Sequence, residues 1–318
     1  MRNKRSMILK RKILPLLTAL ILIFAFSSCN KNNKNGPTDG AGDNNNGYSV
    51  TLKDSYDREV NLDKEPERIV SVAPNITEII FALGKQDKLV GRTDFCDYPE
   101  EAKNIESIGN IDQPNVEKIV ELQPDVVIAS SIFTKEMLQK LEEANIKVAI
   151  FQAEKDFEGV YNMIEKIGLL LNAREEAKNV VTEMKEKIEF VKSKVDGLEK
   201  PSVYYVVGYG EFGDYTAGRD TFISRMIGMA GGKNAADDVE GWKYNIESLL
   251  EKDPDILICS KYYDTKEGIK NTDGYKELSA VKNGKLFEID NNMLDRQGPR
   301  IADGVLELAK IIHPEVFK

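Results

Sequence analysis

The chain alternates short β-type runs with helical patterns, and this alternation is interrupted only once. Before the interruption the β runs are "RIVSVAP", "KLVGRT", "DVVIAS" and "KVAIFQ", and after it they are "SVYYVVG", "DILICS" and "KLFEID". Amphipathic segments such as "NITEIIFALG" lie between them, whereas residues 157–194 carry only helical periodicity. Because strands that alternate with helices form parallel βαβ units, the sequence predicts two α/β lobes with helices between them.

The helical stretch ends in a long segment, which we predict to be one helix over residues 173–195. At 1.5 Å per residue this helix would be on the order of 35 Å long. It is either a surface helix of a single domain or a rigid strut between two lobes. Asn172 with Glu175 is the predicted cap pair of this helix, as Asn75 with Glu78 is of the first helix.

One βα pattern occurs twice in the chain, as "VEKIVELQPDVVIAS" at 116–130 and "IESLLEKDPDILICS" at 246–260. In both segments an apolar helical stripe is followed by Pro-Asp and a short β run. Glu117 and Glu247 occupy the second position of each copy, and Asn115 is the predicted cap of the first helix. A carboxylate in the first turn favours the positive end of the helix dipole, which explains either Glu alone but not why both lobes share it. Two lobes side by side would present two acidic points, which suit docking onto a partner with two basic points.

The start of the chain has the pattern of an export signal. A basic segment precedes an apolar run at 13–26, which is shorter than the roughly 20 residues that a transmembrane helix needs. The run ends in "FSSC", which looks like the lipobox that precedes a lipidated cysteine, here Cys29. A plain signal peptide is the alternative. The following "NKNNKNGPTDGAGDNNNG" lacks apolar residues and predicts a flexible tether.

Composition excludes several classes of function. The chain has 44 basic and 53 acidic residues, spread along the body, so it lacks the concentrated basic face of a nucleic-acid binder. One histidine and three cysteines give few ligands for a bare transition-metal site, so we expect no metal. Cys96 and Cys259 could pair in an exported protein, but a thiol that closes a buried strand is ordinary. No hydrolase elbow, P-loop, dinucleotide fingerprint or HExxH motif occurs, so we expect no enzyme.

Residues that follow β runs are the candidates for a binding site, because ligands of open α/β sheets lie at the carboxyl ends of the strands. Several of these residues are aromatic, and flat rings from two lobes suit a large, partly apolar ligand. The alternative is that each ring covers the core beneath it. The candidates are Asn75, Asp94, Phe95, Tyr98, Tyr209, Tyr215, Trp242, Asn292 and Arg296.

The chain resembles the bacterial substrate-binding proteins of ABC importers, in the group that carries cobalamin, iron-siderophores and haem. The resemblance runs from about residue 49 to the C-terminus. It rests on "RIVSVAPNITEIIFALG", "GRTDFCDYPEEAKNIESIGN", "AGRDTFISRMIGMAGGKN" and "DRQGPRIADGVLELA", together with the two copies of the βα unit. It implies two Rossmann-like α/β lobes joined by a single long helix, the class III periplasmic binding protein fold, with ligand in the cleft between the lobes.

The resemblance also implies roles for particular residues. Glu117 and Glu247 would engage arginines of the permease dimer, which works with an ATPase. An aromatic residue stacks on the ligand of cobalamin-binding members where Phe95 stands here, and the segment 292–296 lines their site. Because one helix resists hinge opening better than flexible strands would, we expect only small closure motions.

The division of the chain that we predict has five parts. They are a lipoprotein signal peptide at 1–28, the lipidated cysteine and polar tether at 29–48, an N-terminal lobe at 49–156, linking helices at 157–197 and a C-terminal lobe at 198–318. The lipid would hold the protein on the extracytoplasmic face of the cell membrane.

The charge of the segments that we expect to line the cleft, here called the cleft segments, helps to choose between ligand classes. Carboxylate and catechol siderophores are strongly anionic and favour basic clefts. Four arginines (Arg92, Arg219, Arg296 and Arg300) are balanced by four aspartates (Asp94, Asp97, Asp214 and Asp295) in these segments. Arg296 binds an anionic or amide group of a ligand, or else forms an ion pair with its neighbour Asp295.

We therefore expect a binding protein that delivers a metal chelate to an ABC permease, with a corrinoid such as cobalamin favoured. A ferric siderophore or haem is the alternative ligand, and a lipid-anchored adhesin or signalling receptor on the same fold is a further alternative. No cofactor is expected besides the ligand.

Overall fold

The computed structural model describes residues 48–130 and 133–318. The predicted signal peptide, the lipidation site Cys29 and the tether as far as residue 47 lie outside the described residues. Among the helices of the described part, none has the combination of length and apolar character that a membrane crossing requires.

A β-hairpin and a four-stranded parallel sheet form the N-terminal lobe, with the sheet in the order β4-β3-β5-β6. The strands are β1 (Val50–Lys53), β2 (Glu59–Leu62), β3 (Ile69–Ser71), β4 (Leu89–Arg92), β5 (Val126–Ser130) and β6 (Lys147–Phe151). The helices are α1 (Pro74–Ala82), α2 (Val116–Glu121) and α3 (Lys135–Glu143), with short 3-10 turns at Gln86–Lys88 and Glu100–Asn104.

Two consecutive helices, α4 (Phe157–Leu170) and α5 (Arg174–Val195), leave the N-terminal lobe. The 22 residues of α5 confirm the long helix that the sequence predicts, to within one residue at its start. The predicted cap pair is wrong. The side-chain amide of Asn172 donates to Glu65 and Glu175 pairs with Lys178, so no side chain caps the helix.

The C-terminal lobe has a second sheet, in the order β11-β10-β7-β8, with β9 also paired to β7. Only the β7–β8 pairing is antiparallel. The strands are β7 (Ser202–Gly208), β8 (Tyr215–Thr216), β9 (Lys233–Asn234), β10 (Ile256–Ser260) and β11 (Leu286–Ile289). The helices are α6 (Phe222–Met229), α7 (Ile246–Lys252), α8 (Thr265–Asn271), α9 (Ser279–Lys282), α10 (Asn292–Asp295) and α11 (Ile301–Ile312), with 3-10 turns at Gly210–Phe212 and Tyr275–Glu277.

One apolar core is shared by both lobes, and each lobe also has a smaller core of its own. Helix α5 packs on α4 and on α11, and it buries one stripe at helical spacing, from Ala177 to Val195. Phe157 at the start of α4 stacks on Phe222 at the start of α6, with ring centroids 4.9 Å apart. The long helix is therefore a strut between two lobes rather than a surface helix.

The two copies of the βα unit fold alike. Alternate residues of β5 and β10 face different cores, because side chains of a strand point to opposite faces. In β5, Val126 and Ile128 face the shared core and Val127 faces the separate core of its own lobe. In β10, Ile258 faces the shared core and Leu257 faces the separate core of the C-terminal lobe.

The Pro-Asp step of the unit has a structural reason in both lobes. Asp125 accepts hydrogen bonds from the backbone N–H groups of Glu67 and Arg68, just before β3, at 2.9 and 3.0 Å. Asp255 accepts from the N–H and the hydroxyl of Ser202, at the start of β7, at 2.8 and 2.7 Å. These bonds hold the pKa of Asp255 below its usual range. Each aspartate thus fixes the start of the neighbouring strand.

The caps of the two matched helices are also equivalent. Asn115 accepts from the N–H of Lys118 and Asn245 from the N–H of Ser248, both at 3.0 Å. Such a cap stabilises a helix by about 1 kcal/mol relative to alanine. The cap predicted for Asn115 is therefore confirmed. The cap predicted for Asn75 is wrong, because α1 begins at Pro74 and Asn75 lies inside its first turn.

Candidate functional site

A pocket opens where the strands of the C-terminal sheet end. Its volume is about 280 Å³. The end of β7 contributes one wall, the end of β10 another, and the turn after β11 the floor. The lining residues are Tyr205, Val206, Val207, Trp242, Ser260, Asn291 and Asp295. The carboxyl ends of the strands thus form the concave surface that the sheet rule places there.

Trp242 is held at this pocket by its backbone. Its carbonyl accepts a hydrogen bond from the N–H of Thr216 at 2.8 Å, and Tyr244, two residues on, donates to the carbonyl of Asp214 at 2.9 Å. The loop is therefore fixed to β8, while 47% of Trp242 stays exposed. Tyr215 lies on the same edge and covers Gly208, where an added Cβ would lie 2.9 Å from its ring.

The aromatic residues of the N-terminal lobe follow β4. Phe95 and Tyr98 are both about half exposed, at 52% and 47%. Between them Cys96 is fully buried and its sulfur lies 3.2 Å from the hydroxyl oxygen of Thr93. Burial raises the pKa of the Cys96 thiol, so it stays protonated and serves as an apolar anchor. Because the anchor points inward, its neighbours point outward.

Asp94, in the same loop, is bound within its own lobe. Its carboxylate accepts a hydrogen bond from the hydroxyl of Ser107, and its N–H donates to the carbonyl of Gly109 at 2.9 Å. Its contacts fix the loop that carries Phe95.

A cluster of charged side chains joins the two lobes. Glu78 is only 3% exposed and accepts from Nε and Nη2 of Arg300 at 2.9 and 2.6 Å. Arg296 donates from Nη1 to Glu78 at 3.1 Å and to Asp97 at 2.7 Å. Glu78 and Asp97 belong to the N-terminal lobe and both arginines to the C-terminal lobe. We call these four residues the interlobe cluster.

Both arginines of the interlobe cluster are fully charged. Burial alone would lower the pKa of Arg296, but Asp97 and Glu78 more than offset it, so its pKa is raised. The same balance between burial and Glu78 raises the pKa of Arg300. The guanidinium of Arg300 also lies 3.8 Å from the ring centroid of Tyr98. That contact holds Tyr98 at the boundary between the lobes.

Neutral hydrogen bonds flank the interlobe cluster. Gln297 exchanges two bonds with the backbone of Glu154, at 2.6 and 2.9 Å. The side-chain amide of Asn75 donates to the carbonyl of Gln297 at 3.2 Å. Three predicted site residues, Asn75, Tyr98 and Arg296, therefore contact the interface between the lobes.

The other candidates are placed differently. Asn292 donates to the hydroxyl of Tyr262 at 3.3 Å, beside the pocket floor. Tyr209 does not line the pocket, because its ring packs on Tyr275 and its hydroxyl lies where a Cβ on Gly268 would be.

The alternative ion pair between Arg296 and its neighbour Asp295 is wrong. Arg296 crosses to the other lobe, while Asp295 accepts from the side-chain amide of Asn291 at 2.8 Å. Ser260 and Val207 line the pocket although neither is among the residues predicted from the sequence. Each stands at the carboxyl end of a predicted buried strand, so the sheet rule applied to non-aromatic residues would have found both.

The remaining two arginines of the cleft segments are also engaged. Arg92 donates to the carbonyls of Thr93 and Lys103 at 3.1 and 3.0 Å. Arg219 donates to Glu240 at 2.7 Å. All four arginines that the sequence places near the cleft are therefore occupied by protein groups.

Asp295 is the one charged side chain among the described residues that line the pocket, and it forms no salt bridge. No cation of the described residues lies within 4 Å of it. The surrounding protein displaces enough water to raise the pKa of its carboxyl group, although the residue is exposed at the pocket. A group that meets Asp295 there must donate a hydrogen bond or carry positive charge.

Metal ligands are sparse in the described residues. They contain no group of three or more His, Cys, Asp or Glu side chains that could hold a metal ion. His313 is buried, with Nε2 3.1 Å from the carbonyl oxygen of Gly231. Cys96 and Cys259 are each buried and unpaired, in different lobes.

Glu117 and Glu247 stand in the first turns of α2 and α7, and both are exposed. Each helix begins at the end of a loop that carries, or is hydrogen-bonded to, a segment with candidate ligand residues. The loop before α7 contains Trp242. The loop before α2 is bonded to the segment that carries Phe95, because Asp94 donates to Gly109.

Comparison with known proteins gives consistent matches. A family model described as periplasmic binding protein matches residues 69–293. The uncharacterized ABC transporter substrate-binding lipoprotein YvrC of Bacillus subtilis is 35% identical over 278 residues, which are 85% of this chain and 88% of the relative. A cobalamin-binding protein of Halobacterium salinarum is 29% identical over 279 residues, which are 84% of this chain and 74% of the relative.

A solved structure matches the fold as well. The periplasmic haem-binding protein RhuT of Roseiflexus sp. RS-1 has a TM-score of 0.72 and 26% identity, and the match covers 78% of this chain and 98% of that one. The family model covers more than half of the chain, and the two α/β lobes joined by α5 are the fold of these relatives. The chain therefore belongs to the periplasmic binding protein family, as an ABC transporter substrate-binding protein of the vitamin B12, haem and siderophore class.

Proposed function

We propose that the protein captures a corrinoid, cobalamin foremost, in the cleft between its lobes and delivers it to the permease dimer of an ABC importer. Trp242 and Tyr215 from one lobe and Phe95 from the other offer flat apolar surfaces for a macrocycle. Ser260, Asn291 and Asp295 form the polar part of the pocket lining, in which Ser260 donates to Asn291 and Asn291 donates to Asp295. The resemblance to a cobalamin-binding protein supports this ligand.

The choice of ligand rests on one observation: among the described residues, no arginine lines the pocket. Arg296 and Arg300 are bound to Glu78, and Asp295 adds an uncompensated negative charge. Haem carries two carboxylates and many siderophores carry more, so these ligands would lose hydration without gaining a charge partner. The rim of a corrin carries neutral amides, whose N–H groups suit Asp295.

Haem or a ferric siderophore is the second candidate ligand. The likeness to a haem-binding protein favours it, since that match has the same fold at 26% identity. Lys243, next to Trp242, is exposed and could meet a carboxylate, although it does not line the pocket. An adhesin or signalling receptor on this fold would bind none of these chelates.

A titration of residues 48–318 with cyanocobalamin, haemin and a panel of ferric siderophores tests the proposal. Thermal stability and the fluorescence of Trp242 are the two readouts. A ligand at 100 times its Kd should stabilise the fold by about 2.7 kcal/mol. Cobalamin alone is expected to raise the melting temperature and quench Trp242. A response to haemin or a siderophore alone would keep the importer and replace the ligand, and silence would contradict the transport role.

We further propose that Cys29 carries a lipid that holds the protein on the extracytoplasmic face of the cell membrane. The "FSSC" pattern and the polar tether support this, as does the lipoprotein among the relatives. Growth with labelled palmitate, followed by immunoprecipitation, should label the wild type and leave Cys29→Ala unlabelled.

Docking on the permease is proposed to use Glu117 and Glu247. The double substitution Glu117→Ala/Glu247→Ala is expected to abolish uptake of the ligand by whole cells, because each lobe would lose its charge contact with the permease. Ligand affinity of the purified body should stay within about twofold of the wild type, since neither side chain lines the pocket. Uptake at the wild-type rate would contradict this docking mode.

A further inference from the structure

The pocket wall that carries Trp242 is part of a short two-stranded ladder. Residues 214–216 run against residues 242–244, joined by backbone hydrogen bonds of 2.8 and 2.9 Å and by a pairing of Tyr215 with Lys243. We call these two segments together the wall ladder. Because the segments are bonded to each other, a contact that fixes the first also fixes the backbone that carries the Trp242 ring.

The two ends of the first segment of the wall ladder are held differently. At one end, Thr216 is tied to the sheet by its own hydroxyl, which donates to the carbonyl of Tyr205 at 2.7 Å. At the other end, the carboxylate of Asp214 accepts a hydrogen bond from the hydroxyl of Tyr275 at 2.9 Å. Among the described side chains of residues 209–215, that of Asp214 alone forms a hydrogen bond. The position of this end therefore depends on Tyr275.

Tyr275 is a rigid donor. It is fully buried in the separate core of the C-terminal lobe. Its turn is closed by a hydrogen bond of 2.7 Å from the N–H of Gly274 to the carboxylate of Glu277, and an added Cβ on Gly274 would lie 2.5 Å from Ile246. Burial raises the pKa of the Tyr275 hydroxyl and the charge of Asp214 raises it further, so the group stays protonated and donates.

The hydrogen bond between Tyr275 and Asp214 lies behind the wall, since neither residue lines the pocket. Both can act on a ligand only through the wall ladder. We propose that Tyr275 is a positioning residue of the ligand site, which holds Trp242 in place through Asp214. The inference rests on the proposed function, in which the Trp242 ring stacks on a macrocycle. A ring that is held in place before binding loses less conformational freedom when the ligand arrives, which favours affinity.

Tyr275→Phe tests the proposal, because it removes the hydroxyl and keeps the buried ring. Trp242 is the only tryptophan of the chain, so the fluorescence anisotropy of the unliganded protein reports its mobility directly. The anisotropy is expected to fall. The Kd for cyanocobalamin, measured by isothermal titration, is expected to rise about three- to tenfold, the range that corresponds to ordering one further side chain on binding.

Asp214→Ala removes the same hydrogen bond from its partly exposed side, so it should reproduce both changes even if Tyr275→Phe does not fold. The double variant Asp214→Ala/Tyr275→Phe should be no worse than either single variant, because each already breaks the bond. Asp214→Asn keeps an oxygen that can accept from Tyr275, so its Kd should stay within about twofold of the wild type.

Tyr204→Phe is the matched control. Tyr204 is fully buried in the same core as Tyr275, but its hydroxyl forms no hydrogen bond to any described residue. Its removal should leave the anisotropy and the Kd unchanged. If Tyr275→Phe lowers only the melting temperature and leaves both readouts at the wild-type values, the hydroxyl has a structural role alone and the proposal is wrong. If the wild type does not bind cyanocobalamin, the proposed ligand is overturned, while the anisotropy of the unliganded variants still decides whether Tyr275 positions Trp242.

Discussion

Replacement of Glu78 by alanine is expected to lower the free energy of unfolding by about 3–5 kcal/mol, the usual effect of breaking a buried ion pair from one side. The carboxylate bonds to Arg296 and Arg300, whose side chains are only 12% and 11% exposed. Without it, Arg300 loses its carboxylate and Arg296 keeps only Asp97. The guanidinium groups of Arg296 and Arg300 then repel each other in a largely buried site.

Urea unfolding of the purified body would measure this loss. Glu183→Ala, an exposed and unpaired carboxylate on α5, is the control and should change stability by less than about 0.5 kcal/mol. If Glu78→Ala does not fold, Glu78→Gln keeps the shape and removes only the charge, so it should fold with a smaller loss. A loss below about 1 kcal/mol for Glu78→Ala would show that the interlobe cluster behaves like a surface pair.

The interlobe cluster also bears on motion between the lobes. Besides α5, the lobes are joined by the Phe157–Phe222 stack and by the contacts of Glu78 and Gln297. Opening the cleft would separate buried charges, which is costly. These contacts favour the small closure motions that a single linking helix suggests.

The order of the main parallel strands and of the longer helices was predictable because it is a local property, whereas the hairpin β1–β2 and the short strands β8 and β9 were not predicted. Most of the predicted β runs are continuously apolar, and the helices have an apolar stripe, so the period of the pattern identifies the element. The long helix α5 was found in this way. The duplicated unit could also be found in the sequence, because in both copies a helical pattern is followed by Pro-Asp and then by a buried strand.

The role of Glu78 could not be read from its surroundings in sequence. Its spacing from Asn75 fits a capping box, but Arg300 lies 222 residues away and meets Glu78 only after both lobes have folded. A glutamate near the start of a helix looks the same in the sequence whether it faces water or an arginine. Charge pairs between residues that are far apart in the sequence therefore could not be predicted from this one sequence.

The aromatic candidates illustrate a similar limit. Tyr209 and Trp242 both stand near strand ends, yet only Trp242 lines the pocket. Gly268 on α8 leaves a gap that the Tyr209 ring fills. The sequence places both rings near strand ends, and packing against a helix distant in sequence decides which one lines the pocket.

Trp242→Ala is expected to weaken binding of the ligand by about 2–3 kcal/mol, or on the order of 30- to 160-fold in Kd, because a stacked aromatic side chain buries a large apolar area. The half-exposed ring is available to a ligand. Because its loop is already fixed through Thr216, binding costs little conformational entropy. Isothermal titration with cyanocobalamin would measure the change, since the variant lacks the fluorescent reporter.

Tyr263→Ala is the matched control, because Tyr263 is an almost fully exposed aromatic residue of the same lobe that does not line the pocket. Its Kd should equal that of the wild type. The melting temperature of unliganded Trp242→Ala should also be close to the wild-type value, since half of the ring already lies in solvent. An unchanged Kd for Trp242→Ala would mean that the macrocycle does not lie against this ring, and the pocket at the end of β7 and β10 would then not be its site.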